Sequence, residues 1–427
     1  MQLTRTQIGI LIGILVIILI GVLMFMGILP GLRSNEPQGL VGKLTVWGLD
    51  DERFFNETFI APYNSLNPNV DIEYRQLSAK NYESQIINAL AAGQGPDVVM
   101  IDNNWARKHS DKLAYIDEVD YPRSSFVNDF VDVAADDFYI DGKTYALPLY
   151  VDTLSLFYNK DIFNDAGVVN SPETWTKFNE LVRILTKINP AGNIILSATA
   201  LGGSNQSISN ASDILAAFML QDGVQMTSAN GENVTFAQYG TDSFERYLRY
   251  SNPADDLYSW NEDIGDATNK FASEEVAMII DYSQNAKKIQ EKNPFLNFSI
   301  ASLPQKPVAK AINYADYFGL AVTATSDSQG LAWNFIGSTL LNSQVMNNYS
   351  NGTGRPPALR ELLAKMSANS EKNFLVRQSL TAKSWLQPDN QTVADALSKA
   401  ILQVLNSQAD PSSALQEAQS TINDKLR

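Results

Sequence analysis

The chain has 427 residues, enough for two to three domains, and is 44% hydrophobic and 19% charged, a composition that buries a core rather than staying disordered. Its 32 Lys and Arg stand against 47 Asp and Glu, a net charge of −15, which argues against a nucleic-acid partner because such affinity rests on cations neutralising phosphates. With no cysteine and one histidine, disulfides, thiolate zinc, iron–sulfur clusters, a Cys nucleophile, an acylated lipoprotein anchor and multi-His metal centres are excluded, so no metal or cofactor is expected. His109 sits in a charged, polar run over residues 106–112 and reads as a solvated surface residue rather than the base of a triad.

Residues 8–29 carry no charged or polar side chain. As a helix the segment would extend about 33 Å, enough to cross a hydrocarbon core of about 30 Å. It is longer than the apolar part of a secretory signal, and Pro30-Gly31-Leu32-Arg33 follows without a small-residue cleavage pattern. Residues 1–33 therefore read as an uncleaved single-pass membrane anchor and 34–42 as a linker, with the remainder outside the cell. A cleaved signal peptide is the alternative.

In the rest of the chain, residues 44–47 form a short apolar strand ending in the loop 48–51. Phe54, Phe55, Phe59 and Tyr63 follow at helical spacing. Val70, Ile72 and Tyr74 alternate with Asp71, Glu73 and Arg75 as in a half-buried strand. Residues 82–92 form a helix with Ile86, Ile87 and Leu90 on one face, and Gly93 caps it. Residues 97–101 are a buried strand of the parallel kind, ending in Asp102-Asn103-Asn104-Trp105. Alternating strands and helices predict a parallel α/β domain whose ligands bind beyond the carboxyl ends of the strands. Asp50, Asp51, Asn103, Asn104 and Trp105 are thus candidate ligand contacts. Asp50 and Asp102 fit helix N-caps equally well.

Further on, residues 145–150 are extended and contain Pro148, and 151–159 form another strand. Ser171 and Pro172 open a helix as N-cap and N1. Residues 202–212 are a polar loop, 214–220 a helix, 271–280 a helix running into a strand, 318–322 a strand and 329–341 a helix. Residues 351–357 make a tight connection, and the remainder is helical.

Several blocks in this order resemble the extracellular solute-binding proteins of ABC importers, in the sugar-binding family that includes maltose-binding protein. Residues 86–99 (IINALAAGQGPDVV) resemble that family's "ALAAGxGPDV" stretch. Tyr145-Ala146-Leu147-Pro148, residues 152–163 (DTLSLFYNKDIF), Ala166-Gly167 and Pro172-Glu173-Thr174-Trp175 resemble its "YxxPxxxDTxxLxYNKDLF…AG…PxTW" run. Residues 271–278 (FASEEVAM) are similar to "FxxGxxAM", with Glu in place of the usual Gly; residues 332–336 and 354–357 match more weakly.

The resemblance implies a two-lobed, hinged α/β fold of the periplasmic-binding-protein kind, preceded by the membrane helix. One lobe would hold residues 43–149 with 315–355 and the other 150–314 with 356–427. The three crossings would lie near 148–151, 312–317 and 355–358. It also implies solute capture by hinge closure and delivery to ABC permease subunits. ATP hydrolysis would belong to other chains. Asp152 and Tyr282 fall where the family places a cleft carboxylate and a stacking aromatic; Asp152 alternatively fixes the hinge backbone. Trp260, Tyr314, Asp316, Tyr317 and Arg355 complete the candidate set, with core packing the alternative for Trp260.

The expected solute is a mono- or oligosaccharide, gripped by aromatic faces and polar side chains. The same fold binding a peptide, polyamine or phosphorylated solute is the alternative. A surface glycoside hydrolase would need a carboxylate pair about 5–9 Å apart that the spacing does not single out. A sensor's ligand-binding subunit is a further option.

Overall fold

The computed structural model describes residues 39–425, apart from 229–230, 232, 307–309 and 367–372. The expected anchor at 8–29 lies outside the described residues, and among those described no helix is long and apolar enough to cross a membrane. The main strands, in chain order, are β1 (Gly42–Gly48), β2 (Val70–Gln76), β3 (Val98–Asp102), β4 (Leu147–Pro148), β5 (Asp152–Asn159), β6 (Ile194–Thr199), β7 (Val276–Tyr282), β8 (Phe298–Ser302), β9 (Asn313–Asp316) and β10 (Phe318–Val322).

The first sheet has the order β2-β1-β3-β10-β4. β1 runs parallel to β2 and β3, while β10 is antiparallel to β3 and β4. The alternation read at Val70, Ile72 and Tyr74 holds, since these are the buried positions of the edge strand β2. β3 is buried at every residue, as a strand covered on both faces must be. Helical segments Glu52–Phe55, Asn56–Ile60 and Ala61–Leu66 run on from one another, the middle one as a π-turn. They bury Phe55, Phe59 and Tyr63, and Phe55 stacks on Tyr74 with centroids 4.0 Å apart. Each such ring contributes about 1.5–3 kcal/mol of burial. Gly93 takes the left-handed conformation (φ +67°) just past the helix Tyr82–Ala91.

The second sheet runs β9-β5-β7-β6, with Ala382–Lys383 beyond β9, Lys187–Ile188 beyond β6, and β8 also paired to β5. β5 is antiparallel to β7, β8 and β9. Its core is aromatic: Trp175 and Phe218 meet at 4.4 Å between centroids. The helix expected to open at Ser171 begins at Trp175 instead. Thr174 caps it through Oγ1, and residue 174 bridges to Gln305, which holds the preceding residues extended.

Two hydrophobic cores, one per sheet, make this a two-lobed α/β fold. The chain first crosses through Leu149–Val151, between β4 and β5, and crosses back through Tyr317, between β9 and β10. Asp316 pairs with Asp152 where the two hinge strands meet. The third crossing lies later than the expected 355–358. Ala358, Leu359, Leu362 and Leu363 pack in the first core, and Arg360 donates to the Val127 and Phe130 carbonyls. The chain engages the second sheet at Gln378, which bonds Thr153 and Ser155.

Candidate binding cleft between the lobes

The cleft is built from the carboxyl ends of β1 and β3, the hinge strands, the segment after β7 and the approach to the helix Asn390–Leu405. The lobes touch directly here. Asn390 Nδ2 donates to Asp102 Oδ1 at 3.0 Å, and Gln387 N donates to Asn104 Oδ1 at 3.4 Å. On the rim, Lys108 Nζ reaches Glu83 Oε1 at 2.6 Å and Asp389 Oδ2 at 2.7 Å, and Lys383 pairs with Asp136. His109 is largely covered rather than solvated, with Nε2 2.7 Å from Glu83 Oε1.

Asp50, 8% exposed, is already engaged: Oδ1 accepts from Arg355 Nη1 at 2.7 Å and Oδ2 from the Tyr349 hydroxyl at 3.0 Å. Arg355 Nε donates to Gln284 Oε1 at 2.8 Å, and its guanidinium lies 4.5 Å from the Tyr150 ring centroid. Arg355 therefore fastens β1 of the first lobe to the loop after β7 of the second. Asp51 is exposed and caps the following helix through Phe54 N, so it does not enter the cleft.

Asp152 departs from the expectation of a ligand-facing carboxylate. It is 0% exposed, and Oδ1 accepts from Thr153 N, Ser283 N and Ser283 Oγ while Oδ2 accepts from Gln284 N. Both oxygens are occupied by backbone and hydroxyl groups at the hinge. Trp260 is likewise corrected: it is 0% exposed in the second core and donates through Nε1 to Ser207 Oγ. Tyr317 belongs to the first core, edge-on to Phe138, with its hydroxyl 2.5 Å from Asp137 Oδ2. Trp105 is half-buried between Tyr82 and Phe318.

The remaining candidates converge. Tyr282 donates to Asp213 Oδ2 at 2.8 Å, and the Tyr314 hydroxyl accepts from Gln387 Nε2 at 2.7 Å. Asn103 Nδ2 donates to Asp137 Oδ2 at 2.9 Å. The Asp316 side chain has no hydrogen-bond or ion-pair partner among the described residues; it lies deep between the lobes yet keeps some accessible surface.

These carboxylates raise one another's proton affinity. Burial, then the charge of Asp316, pushes Asp102 up to about 8. Burial, then Asp213 and Asp152, pushes Asp316 to about 7, against the pull of Arg355. Asp213 and Asp137 rise to about 6, mainly through burial. Such shifts mark carboxylates taken out of water whose hydrogen bonds offset only part of the cost of burial.

A cavity of about 200 Å³ opens beside Asp137 between the lobes, lined by Asn103, Asn104, Arg107, Lys383, Ser384 and Trp385 among others. Trp385 Nε1 and Asn103 Oδ1 are buried without partners. A larger cavity of about 320 Å³ lies on the hinge side between the lobes, lined by Ser283, Gln284, Lys287, Ser350, Gly354 and Pro356 among others, and depressions of about 600 Å³ lie along residues 343–366 and 158–184. Sequence reasoning missed Asp213, Asp137, Trp385, Gln387 and Asn390. Only the Pro388-Asp389 pair signalled the helix start that presents the last three, and Asp389 does cap that helix.

The profile of the bacterial extracellular solute-binding proteins matches residues 48–341, well over half of the chain. The chain belongs to that family. The solute-binding protein is 22% identical over 383 residues to a relative from Brucella abortus named only as a binding protein, covering 83% of this chain and 86% of the relative. It is 21% identical over 385 residues to the multiple sugar-binding protein of Streptococcus mutans, covering 83% and 84%. Among solved structures, the cyclic alpha-maltosyl-1,6-maltose binding protein of Arthrobacter globiformis is similar with a TM-score of 0.75 at 19% identity, over 91% of this chain and 99% of that one.

Proposed function

We propose that this solute-binding protein is the receptor of an ABC importer, held to the outer face of the membrane by residues 8–29 through the linker 34–42. It captures a carbohydrate between its lobes, closes about the hinge strands and presents the closed form to permease subunits. It performs no turnover of its own. The observation that carries the reading is the meeting of polar groups from both lobes at one cleft, Asp102 with Asn390 and Asn104 with Gln387, beside a cavity walled by Trp385. A solute bridging those groups gains contacts that exist only when the lobes are closed, which is what shifts a hinged protein toward closure. Asn103, Asn104, Trp105, Tyr282, Tyr314 and Asp316 form the ligand-facing set, and Asp50 and Arg355 set the hinge side of it. The moving bodies are residues 43–149 with 318–363, and 152–316 with the chain from 378 onward. The name of the Streptococcus mutans relative supports a sugar as solute.

The test is a thermal-unfolding screen of the purified full chain against sugars, with amino acids, peptides and polyamines alongside. A solute at 100 times its dissociation constant adds about 2.7 kcal/mol of stability. A rise in Tm with a carbohydrate, and no product in the mixture, supports the reading. A rise with a peptide or polyamine and none with any sugar overturns it.

A further inference from the structure

The segment from Lys383 to Asn390 belongs to the second lobe and bonds the first from end to end. Trp385 seats it in the second core, edge-on to Phe236, and Asp389 caps the helix Asn390–Leu405 that packs there. From this footing Lys383 Nζ reaches Asp136 Oδ2 at 3.2 Å and Ser384 Oγ donates to Asp137 Oδ1 at 2.7 Å, both on the helix Asp132–Phe138 of the first lobe. Past Trp385, Gln387 N donates to Asn104 Oδ1 at 3.4 Å, Asp389 Oδ2 accepts from Lys108 Nζ at 2.7 Å, and Asn390 Nδ2 donates to Asp102 Oδ1 at 3.0 Å.

Two of these contacts are ion pairs, and they run in opposite directions. The first lobe gives Lys108 to Asp389, and the second gives Lys383 to Asp136. The Lys108 pair is the more sheltered, with side chains 26% and 32% exposed against 50% and 45% for the other. Glu83 holds the same Lys108 ammonium from within the first lobe at 2.6 Å, which aims it at the gap. The charge of the two bodies makes these lysines count. The first lobe, 43–149 with 318–363, has 20 acidic and 11 basic residues, and the second, 152–316 with 378–427, has 25 and 16. Two bodies of net negative charge repel as they approach, over a range of about 10 Å at 0.1 M salt. Cations that cross the gap to a carboxylate of the other body offset that repulsion where it is strongest.

We propose that residues 383–390 are a strap that draws the lobes together by charge, fastened by Lys108–Asp389 and Lys383–Asp136, and that it sets how much of the closed form exists before solute arrives. The proposal rests on the hinge closure read above and gives that closure a drive of its own. Lys108 and Asp389 do not line the interlobe cavities. They act on solute affinity through the closed fraction, because a solute that binds only the closed form shows a dissociation constant divided by that fraction.

The test is single-molecule energy transfer on the full chain without solute. Dyes are carried by Ser78→Cys and Ser209→Cys, exposed positions beyond the carboxyl ends of β2 and β6, one on each lobe. The chain has no cysteine of its own to compete for them. Asp389→Asn keeps a side-chain oxygen to cap Thr392 N and removes the charge. In about 20 mM salt it is expected to lower the ratio of closed to open molecules at least about threefold, and Lys108→Met made with Lys383→Met about tenfold. In about 500 mM salt both effects are expected to shrink. The sign decides between the strap and general repulsion, since repulsion alone would make the loss of an acid from an acidic lobe favour closure. A ratio that rises in Asp389→Asn therefore overturns the proposal. Two populations whose ratio ignores the variants, or responds to them equally at the two salt concentrations, overturn it also and leave hinge closure intact. A single population in the parent and every variant, at both salt concentrations, overturns hinge closure and the strap together.

Discussion

Replacing Arg355 by methionine isolates the hinge clamp. Methionine keeps an unbranched apolar stem of similar reach and removes the guanidinium. Three hydrogen bonds go with it: 2.7 Å to Asp50 Oδ1, 2.7 Å to the Tyr349 hydroxyl and 2.8 Å to Gln284 Oε1. The contact over Tyr150 goes too, worth about 1–2 kcal/mol at a partly desolvated site. The Asp50 side chain is 6% exposed and that of Arg355 20%, so the carboxylate is left buried with the Tyr349 bond as its remaining side-chain support. Breaking a buried pair from one side costs about 3–5 kcal/mol, and the surviving Tyr349 bond sets the expectation near the lower end, about 3 kcal/mol. Asp50→Asn made together with Arg355→Met removes the stranded charge and brings the loss down to about 1 kcal/mol. Urea unfolding followed by tryptophan fluorescence reads both. A single variant within about 1 kcal/mol of the parent, or a double variant no more stable than the single, refutes the argument that Arg355 works chiefly by neutralising Asp50.

Two further outcomes follow from burial. Asp102, Asp316, Asp213 and Asp137 all hold their protons at higher pH than free carboxylates. The folded chain thus binds more protons than the unfolded one, and their contribution to stability is full below pH ~4 and is lost as pH rises through about 6 to 8. Burial alone would raise Asp389, but Lys108 and the Thr392 bonds at its own helix cap hold it down to about 2, so it acts with the opposite sign and below that window. The urea midpoint of the unliganded protein should therefore fall between about pH 5 and about pH 8.5; a flat or rising profile contradicts the burial of the four acids. Trp260→Ala should lower stability by about 3–5 kcal/mol through the cavity it leaves, and calorimetry of the folded variant should return the parent's affinity for its solute; a selective loss of affinity would restore Trp260 to the cleft.

Much of the fold is legible in the sequence because it depends on local pattern. The alternation at Val70, Ile72 and Tyr74, the unbroken apolar run of β3 and the left-handed Gly93 are all read from neighbours in the chain. The cleft is legible only in part, because which side of an aromatic residue faces solvent is decided by residues far away. Trp260 reads from sequence either as a cleft residue or as core packing, and the core prevails because Gly203 lets it pack so closely that a Cβ there would stand 3.0 Å from its ring. Asp152 reads either way from sequence, and the hinge role prevails since Ser283 and Gln284 arrive from 131 and 132 residues away to occupy its oxygens. Asp213 gives no signal beyond an acid in the first turn of a helix, and becomes part of the site through Tyr282 on another strand. The late third crossing has no local signal because Arg360 is anchored by carbonyls more than two hundred residues earlier.

Tyr317 is the whole of the second passage between the lobes. A connection one residue long has no slack, and a residue inserted after it would push β10 forward by one position, turning every side chain of that strand to the opposite face. Phe318 would then occupy the place of Gly319, where even a Cβ would stand 2.7 Å from the Leu147 carbonyl oxygen and 2.8 Å from the Phe138 ring. Insertions and deletions are consequently excluded at this point of the chain, whereas the polar loop over 202–212 has room to vary at its exposed Gln206 and Ser209. The length of the hinge is fixed by the geometry of the sheets it joins, and changes of solute preference must come by substitution around the cleft rather than by lengthening the connection that closes it.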